Sequence, residues 1–142
     1  LRGCIGTFEP KLLSKILGEH AIISALEDDR FDPVTLEEVA KLSVTLSLLE
    51  NFEEISDPLN WEVGKHGVEI EFEFDDEEFS STFLPEIAKE EGWDQEETLR
   101  ELVEKSGCPG DFEEVRPLIK AKRYISKIHK LTYVEYLKFS KK

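Results

Sequence analysis

The sequence predicts an α+β domain, and three observations carry that prediction. Hydrophobic spacing switches along the chain between a period of two and a period near four, without a regular strand–helix–strand rhythm. Residues 68–75 alternate apolar and acidic without a break, the pattern of a strand with one face buried. Hydrophobic residues make up 39% of the 142, and nine Phe, two Trp and three Tyr supply the bulk for one core, so the composition is that of a folding chain.

The elements follow in order. LRGCIGTF reads as a short strand entering a turn bracketed by Gly3 and Gly6. Pro10 suits a first helical position, and Leu12, Leu13, Ile16, Leu17, Ala21, Ile23, Ala25 and Leu26 predict a core-facing amphipathic helix over 10–27. EDDRFDP then breaks it. Thr35 with Glu38 is a capping box that opens a short helix over about 35–41. Residues 43–50 alternate as a strand, and 50–64 read as a loop around Asp57-Pro58. His66-Gly67 is placed in a tight turn leading into the strand at 68–75, with 79–84 as its hairpin partner. Pro85 starts a short helix that Gly92 ends. Asp94 with Glu97 starts another, with Leu99, Leu102 and Val103 buried and Gly107 beyond its end. CPGDFEE is a loop, 119–126 a strand, and Thr132 caps a last helix.

Charge is unevenly spread. The net charge is −14, yet residues 116–142 carry nine Lys/Arg against one acidic residue. An acidic domain repels nucleic acid and anionic membrane at long range, which argues against both as partners. The basic tail is read as neutralising the acidic body of its own fold. No apolar run is long enough for a transmembrane helix. Cys4 and Cys108 are read as two reduced thiols, which predicts a cytoplasmic or nuclear location. There is no Met, even at position 1, and the chain opens inside an apolar pattern. We therefore expect a single compact domain lacking an N-terminal segment.

The candidate for chemistry is Arg2-Gly3-Cys4-Ile5-Gly6-Thr7. A Cys between glycines has little steric cover, and free N–H groups in such a turn can hold an anion. Arg2 favours the thiolate if its side chain points the same way. Two readings stand: a reactive Cys4, or a small apolar filler in a tightly packed strand. A thiol nucleophile needs a base. His20 lies beside the helical stripe, and His129 lies near Lys127 and Lys130, so His66 in its loop is the candidate. Asp28, Asp29 and Arg30 form a second polar cluster, in which Asp29 or Arg30 could face Cys4 from the end of the first helix. Four carboxylates along 69–75 are read as a solvated strand face and not as a metal site. No zinc spacing, nucleotide-binding glycine loop or serine-hydrolase motif is present, so no metal or cofactor is assigned.

LRGCIGT at 1–7, SALEDDRFDP at 24–33, WEVGKHG at 61–67, TFLPE at 82–86, WDQ at 93–95, KRYIS at 122–126 and YVEY at 133–136 resemble, in order, the AMMECR-one domain family. The resemblance implies an antiparallel sheet flanked by helices. It implies that the LRGCIG block, with Arg2, Gly3, Cys4 and Gly6, is the functional site. It also implies two settings: association with Memo-like and radical-SAM proteins in prokaryotes, and protein interaction in the nucleus or cytosol in animals. Two functions follow as expectations. One is a binding module that takes a protein or a small anionic ligand through Arg2, Gly3, Gly6, Thr7, Asp29 and Arg30. The other is an enzyme with Cys4 as nucleophile or redox centre and His66 as base. Substrate and oligomeric state are left open.

Overall fold

A computed structural model describes residues 1–141. The order of elements is α1 (Leu13–Leu26), α2 (Leu36–Val39), β1 (Ser43–Ile55), β2 (Gly67–Phe74), β3 (Glu77–Phe83), α3 (Pro85–Glu91), α4 (Gln95–Lys105), α5 (Phe112–Val115), β4 (Lys120–Thr132) and α6 (Tyr133–Ser140), with a single 3-10 turn at Arg116–Leu118. The strands form one sheet in the order β1-β4-β2-β3, and β2 runs antiparallel to both neighbours. This is the α+β architecture expected. By contact density the chain divides into two compact units: Leu1–Val44 with the residues from Lys130 on, and Thr45–His129.

The second unit holds the core. β2 alternates as its sequence requires: Val68, Ile70 and Phe72 are buried while Glu71 and Glu73 are exposed. The β2–β3 hairpin closes through Asp75 and Asp76, both at positive φ, as a two-residue turn matched to strand twist demands. Leu99, Leu102 and Val103 of α4 pack with Val115 and Trp61 in the same core. Asp94 caps α4, its carboxylate accepting the Glu97 N–H at 2.8 Å while Glu97 accepts the Asp94 N–H at 2.9 Å. Gly92 ends α3 in the left-handed region at φ 75°. The basic stretch on β4 neutralises acidic neighbours within this unit: Lys122 with Glu71, Arg123 with Glu53 and Lys127 with Glu50.

Five expectations need correction. LRGCIGTF forms no strand: residues 1–8 lie outside every helix and strand. α1 begins at Leu13, three residues after Pro10, and has no single apolar stripe: apolar side chains surround it and none is buried. β1 continues through Asn51–Ile55, the stretch read as loop, because it pairs along the equally long β4. CPGDFEE contains α5, whose Val115 is fully buried. The tight turn expected at His66-Gly67 lies instead at residues 63–65, with Gly64 at φ 82°, and Gly67 opens β2.

Candidate functional site

The opening segment lies in the first unit, held by two carboxylates. Asp28, just beyond the end of α1, accepts the backbone N–H of Cys4 on Oδ2 at 2.8 Å. Its two oxygens also take the Arg30 guanidinium, at 2.8 Å from Nε and 2.7 Å from Nη2. Arg30 Nη2 then donates to the Cys4 carbonyl at 3.0 Å. Both polar backbone groups of Cys4 are therefore engaged by one Asp–Arg pair. The Asp28 side chain is only 7% exposed. The Arg30 guanidinium, together with the Cys4 N–H, holds it well below the usual carboxylate range.

Arg2 is tied in the same way to α2. Nε donates to Glu38 Oε1 at 2.9 Å, and Nη2 donates to the Asp32 carbonyl at 3.1 Å. Glu38 Oε2 also accepts the Thr35 N–H at 2.9 Å, so one carboxylate closes the helix cap and anchors Arg2. Arg2 first, and the Thr35 N–H second, pull Glu38 down to about 2.

The two glycines have different roles. A Cβ on Gly3 would lie 1.6 Å from the Ser24 carbonyl oxygen, so only glycine lets the segment press against α1. A Cβ on Gly6 would meet nothing within 4 Å. Thr7 serves its own loop, accepting the Glu9 N–H at 3.1 Å. The Cys4 thiol is free and exposed, beside an Ile5 that is 44% exposed.

His66 belongs to the second unit. Its Nδ1 accepts the Glu62 N–H at 3.0 Å, which puts the proton of the neutral ring on Nε2. Burial lowers its pKa, and Arg123 and Lys65 add to the effect. In this tautomer Nε2 is a donor, and the basic lone pair is already in use. The neighbouring Gly67 is required by packing: a Cβ there would sit 2.3 Å from the Tyr124 ring. Tyr124 itself is buried, stacks on Phe52 at 4.8 Å and donates to the Phe83 carbonyl at 3.1 Å; burial pushes its hydroxyl up to about 12.

The site residues thus divide. Arg2, Gly3, Cys4, Thr7 and Arg30 share the first unit, where each holds or shapes the opening segment. Asp29 is exposed, and the Cys4 N–H donates instead to the neighbouring Asp28. Sequence spacing alone does not separate two adjacent aspartates. Their order relative to the end of α1 decides which one turns inward.

The family model described as AMMECR1 matches residues 1–129. The chain belongs to the AMMECR1 family. An uncharacterised protein of Schizosaccharomyces pombe is 47% identical over 96% of this chain, and one of Arabidopsis thaliana is 42% identical over 99%. A crystal structure of an uncharacterised protein of Pyrococcus horikoshii matches 91% of the chain at 35% identity and a TM-score of 0.69. The AMMECR1 match begins at Leu1 and so takes in the whole Cys4 segment, His66 and Arg30. The chain spans between 56% and 70% of the length of the curated relatives it matches. Among the described residues no helix is long and apolar enough to cross a membrane.

Proposed function

We propose that this AMMECR1 chain is a binding module that works in the cytoplasm or nucleus, and that its LRGCIG turn presents a recognition surface to a protein partner. The observation behind this reading is that Asp28 and Arg30 hold both backbone groups of Cys4 while the Cys4 thiol and Ile5 stay exposed. A turn fixed in that way offers a preformed shape, which lowers the ordering cost of association. A protein suits it better than a small anion. Arg2 and Arg30 are each matched by a carboxylate, and the Cys4 N–H already holds one, so neither arginine is left unmatched to attract an anion.

The test is quantitative capture from a cell extract, comparing the unaltered chain with Arg2→Ala/Cys4→Ser and with Ile5→Asp. At least one partner should be lost from both variants while far-UV circular dichroism stays unchanged. Retention of every partner would remove the turn from consideration.

A second reading keeps Cys4 as a nucleophile or redox centre, alone or with Memo-like or radical-SAM partners. The exposed thiol favours it. The engagement of both arginines and the His66 tautomer speak for the first reading. Alkylation of Cys4 in the folded chain, with Cys108→Ser, separates the two. Rapid reaction that slows in Arg30→Gln, which removes the guanidinium bonded to the Cys4 carbonyl, supports the enzyme; a rate like that of the unfolded chain supports the binding surface.

A further inference from the structure

A small cleft in the second unit carries two opposite charges that the fold leaves poorly matched. Its volume is about 280 Å³, and it is lined by Asp57, Pro58, Leu59, Leu99, Arg116 and Pro117. Drug-sized ligands fill sites of about 300–1,000 Å³, so this cleft suits something smaller. Leu99 is 1% exposed and ties the cleft to the core of α4. The opposing walls are held by their own bonds. Asp57 Oδ1 accepts the Leu59 N–H at 2.9 Å, and the buried Trp61 donates from Nε1 to the Pro58 carbonyl at 3.1 Å. Prolines at 58 and 117 fix the backbone further. A wall built in this way needs little ordering when a ligand arrives.

The charges are what single the cleft out. Arg116 reaches one carboxylate, from Nη1 to Glu96 Oε1 at 3.4 Å, and Arg100 holds that same oxygen at 3.2 Å. Its Nε and Nη2 donate to no acceptor among the described residues. Asp57 has no ion-pair partner among the described residues, and it does not pair with Arg116 although both line the cleft. A guanidinium fork recognises a carboxylate, and a carboxylate recognises an ammonium. Separated charges of opposite sign beside Leu59, Leu99 and two prolines are the complement of a molecule with a carboxylate, an ammonium and an apolar side chain. We propose that this cleft binds a free apolar α-amino acid of leucine size. Its carboxylate sits on Arg116, its ammonium on Asp57 and its side chain against Leu59 and Leu99. The cleft shares no residue with the LRGCIG segment, so the inference stands independently of the binding reading above.

Amide NMR titration of the unaltered chain with L-leucine tests it. Saturable shifts are expected at Leu59 and Leu99. N-acetyl-leucine lacks the ammonium and leucinamide lacks the carboxylate, and each should bind about tenfold or more weakly, the loss of one charged contact. Two variants assign the contacts. Arg116→Gln should weaken leucine by a similar factor and leave leucinamide unchanged. Asp57→Asn, which keeps an oxygen for the Leu59 N–H, should weaken leucine and leave N-acetyl-leucine unchanged. Absence of saturable shifts at Leu59 and Leu99 up to about 100 mM leucine, roughly a hundredfold above a millimolar Kd, overturns the proposal. So does N-acetyl-leucine binding as tightly as leucine, because the cleft would then be a site for a plain apolar acid. Both of these outcomes are read on the unaltered chain and need no variant to fold.

Discussion

At the scale of residues, Asp28 organises the opening segment. Its carboxylate occupies the place an external anion would take between the Cys4 N–H and a guanidinium. The Cys4 amide proton should therefore report Asp28 ionisation. In NMR its chemical shift should titrate well below the usual carboxylate range, and Asp28→Asn should abolish the step. Glu38 gives a parallel case with a defined window. A carboxylate whose folded pKa is depressed contributes stability above its unfolded value and loses it as pH falls through the folded value. The Arg2–Glu38 tether is accordingly complete above about pH 4.5 and is lost toward pH 2, and Glu38→Gln should flatten that part of the profile. Both side chains lie near the surface, so salt weakens the effect. His66 acts in the same direction at a higher pH, because its folded pKa is also lowered. Its lowered pKa makes the fold lose stability as pH drops below the ordinary histidine value of about 6.5.

At the scale of elements, three glycines that look alike in sequence do unequal work. Gly67→Ala drives a methyl into the Tyr124 ring inside the core and should cost about 1–3 kcal/mol, seen as a lower midpoint in urea. Gly3→Ala should displace the opening segment from Ser24, read as faster proteolysis near residues 1–8, while Gly6→Ala should leave both measurements unchanged. Elements with their own local signals were legible beforehand. The capping boxes at Thr35, Asp94 and Thr132, the Pro85 start, the Gly92 stop and the alternation of β2 all state their structure within a few residues. What was not legible depended on distant partners. Asn51–Ile55 has an asparagine and three acidic residues in or beside it, and it becomes strand only because β4 is long enough to pair with it. The apolar residues of α1 fit a one-sided template on paper, but the helix buries none of them. In the candidate site the cluster 28–30 was visible, and the choice of Asp28 over Asp29 was not, because that choice is made by the direction of the chain leaving α1.

At the scale of the whole molecule, the two units raise a question of cooperativity. β1 and β4 each continue across the boundary between Val44 and Thr45 or between His129 and Lys130. We infer that the chain unfolds as the single domain its length predicts. Both tryptophans, Trp61 and Trp93, lie in the second unit and Cys4 lies in the first, so each reports one unit. Trp fluorescence and Cys4 accessibility should follow one urea transition with a common midpoint. Two separated midpoints would show that the units unfold independently.

The edge position of β1 bears on how the protein behaves in bulk. Residues 43–49, SVTLSLL, contain no charge, proline or glycine, and one side of their backbone is unpaired within the sheet. Such a stretch is a template on which identical strands can stack from molecule to molecule. At neutral pH the net charge of −14 keeps neighbouring molecules apart. That repulsion vanishes near the calculated isoelectric point of about 4.6, where the protein should turn cloudy and bind thioflavin most strongly. A Leu46→Lys change in the middle of the strand should suppress the thioflavin signal there, leaving any amorphous precipitate behind.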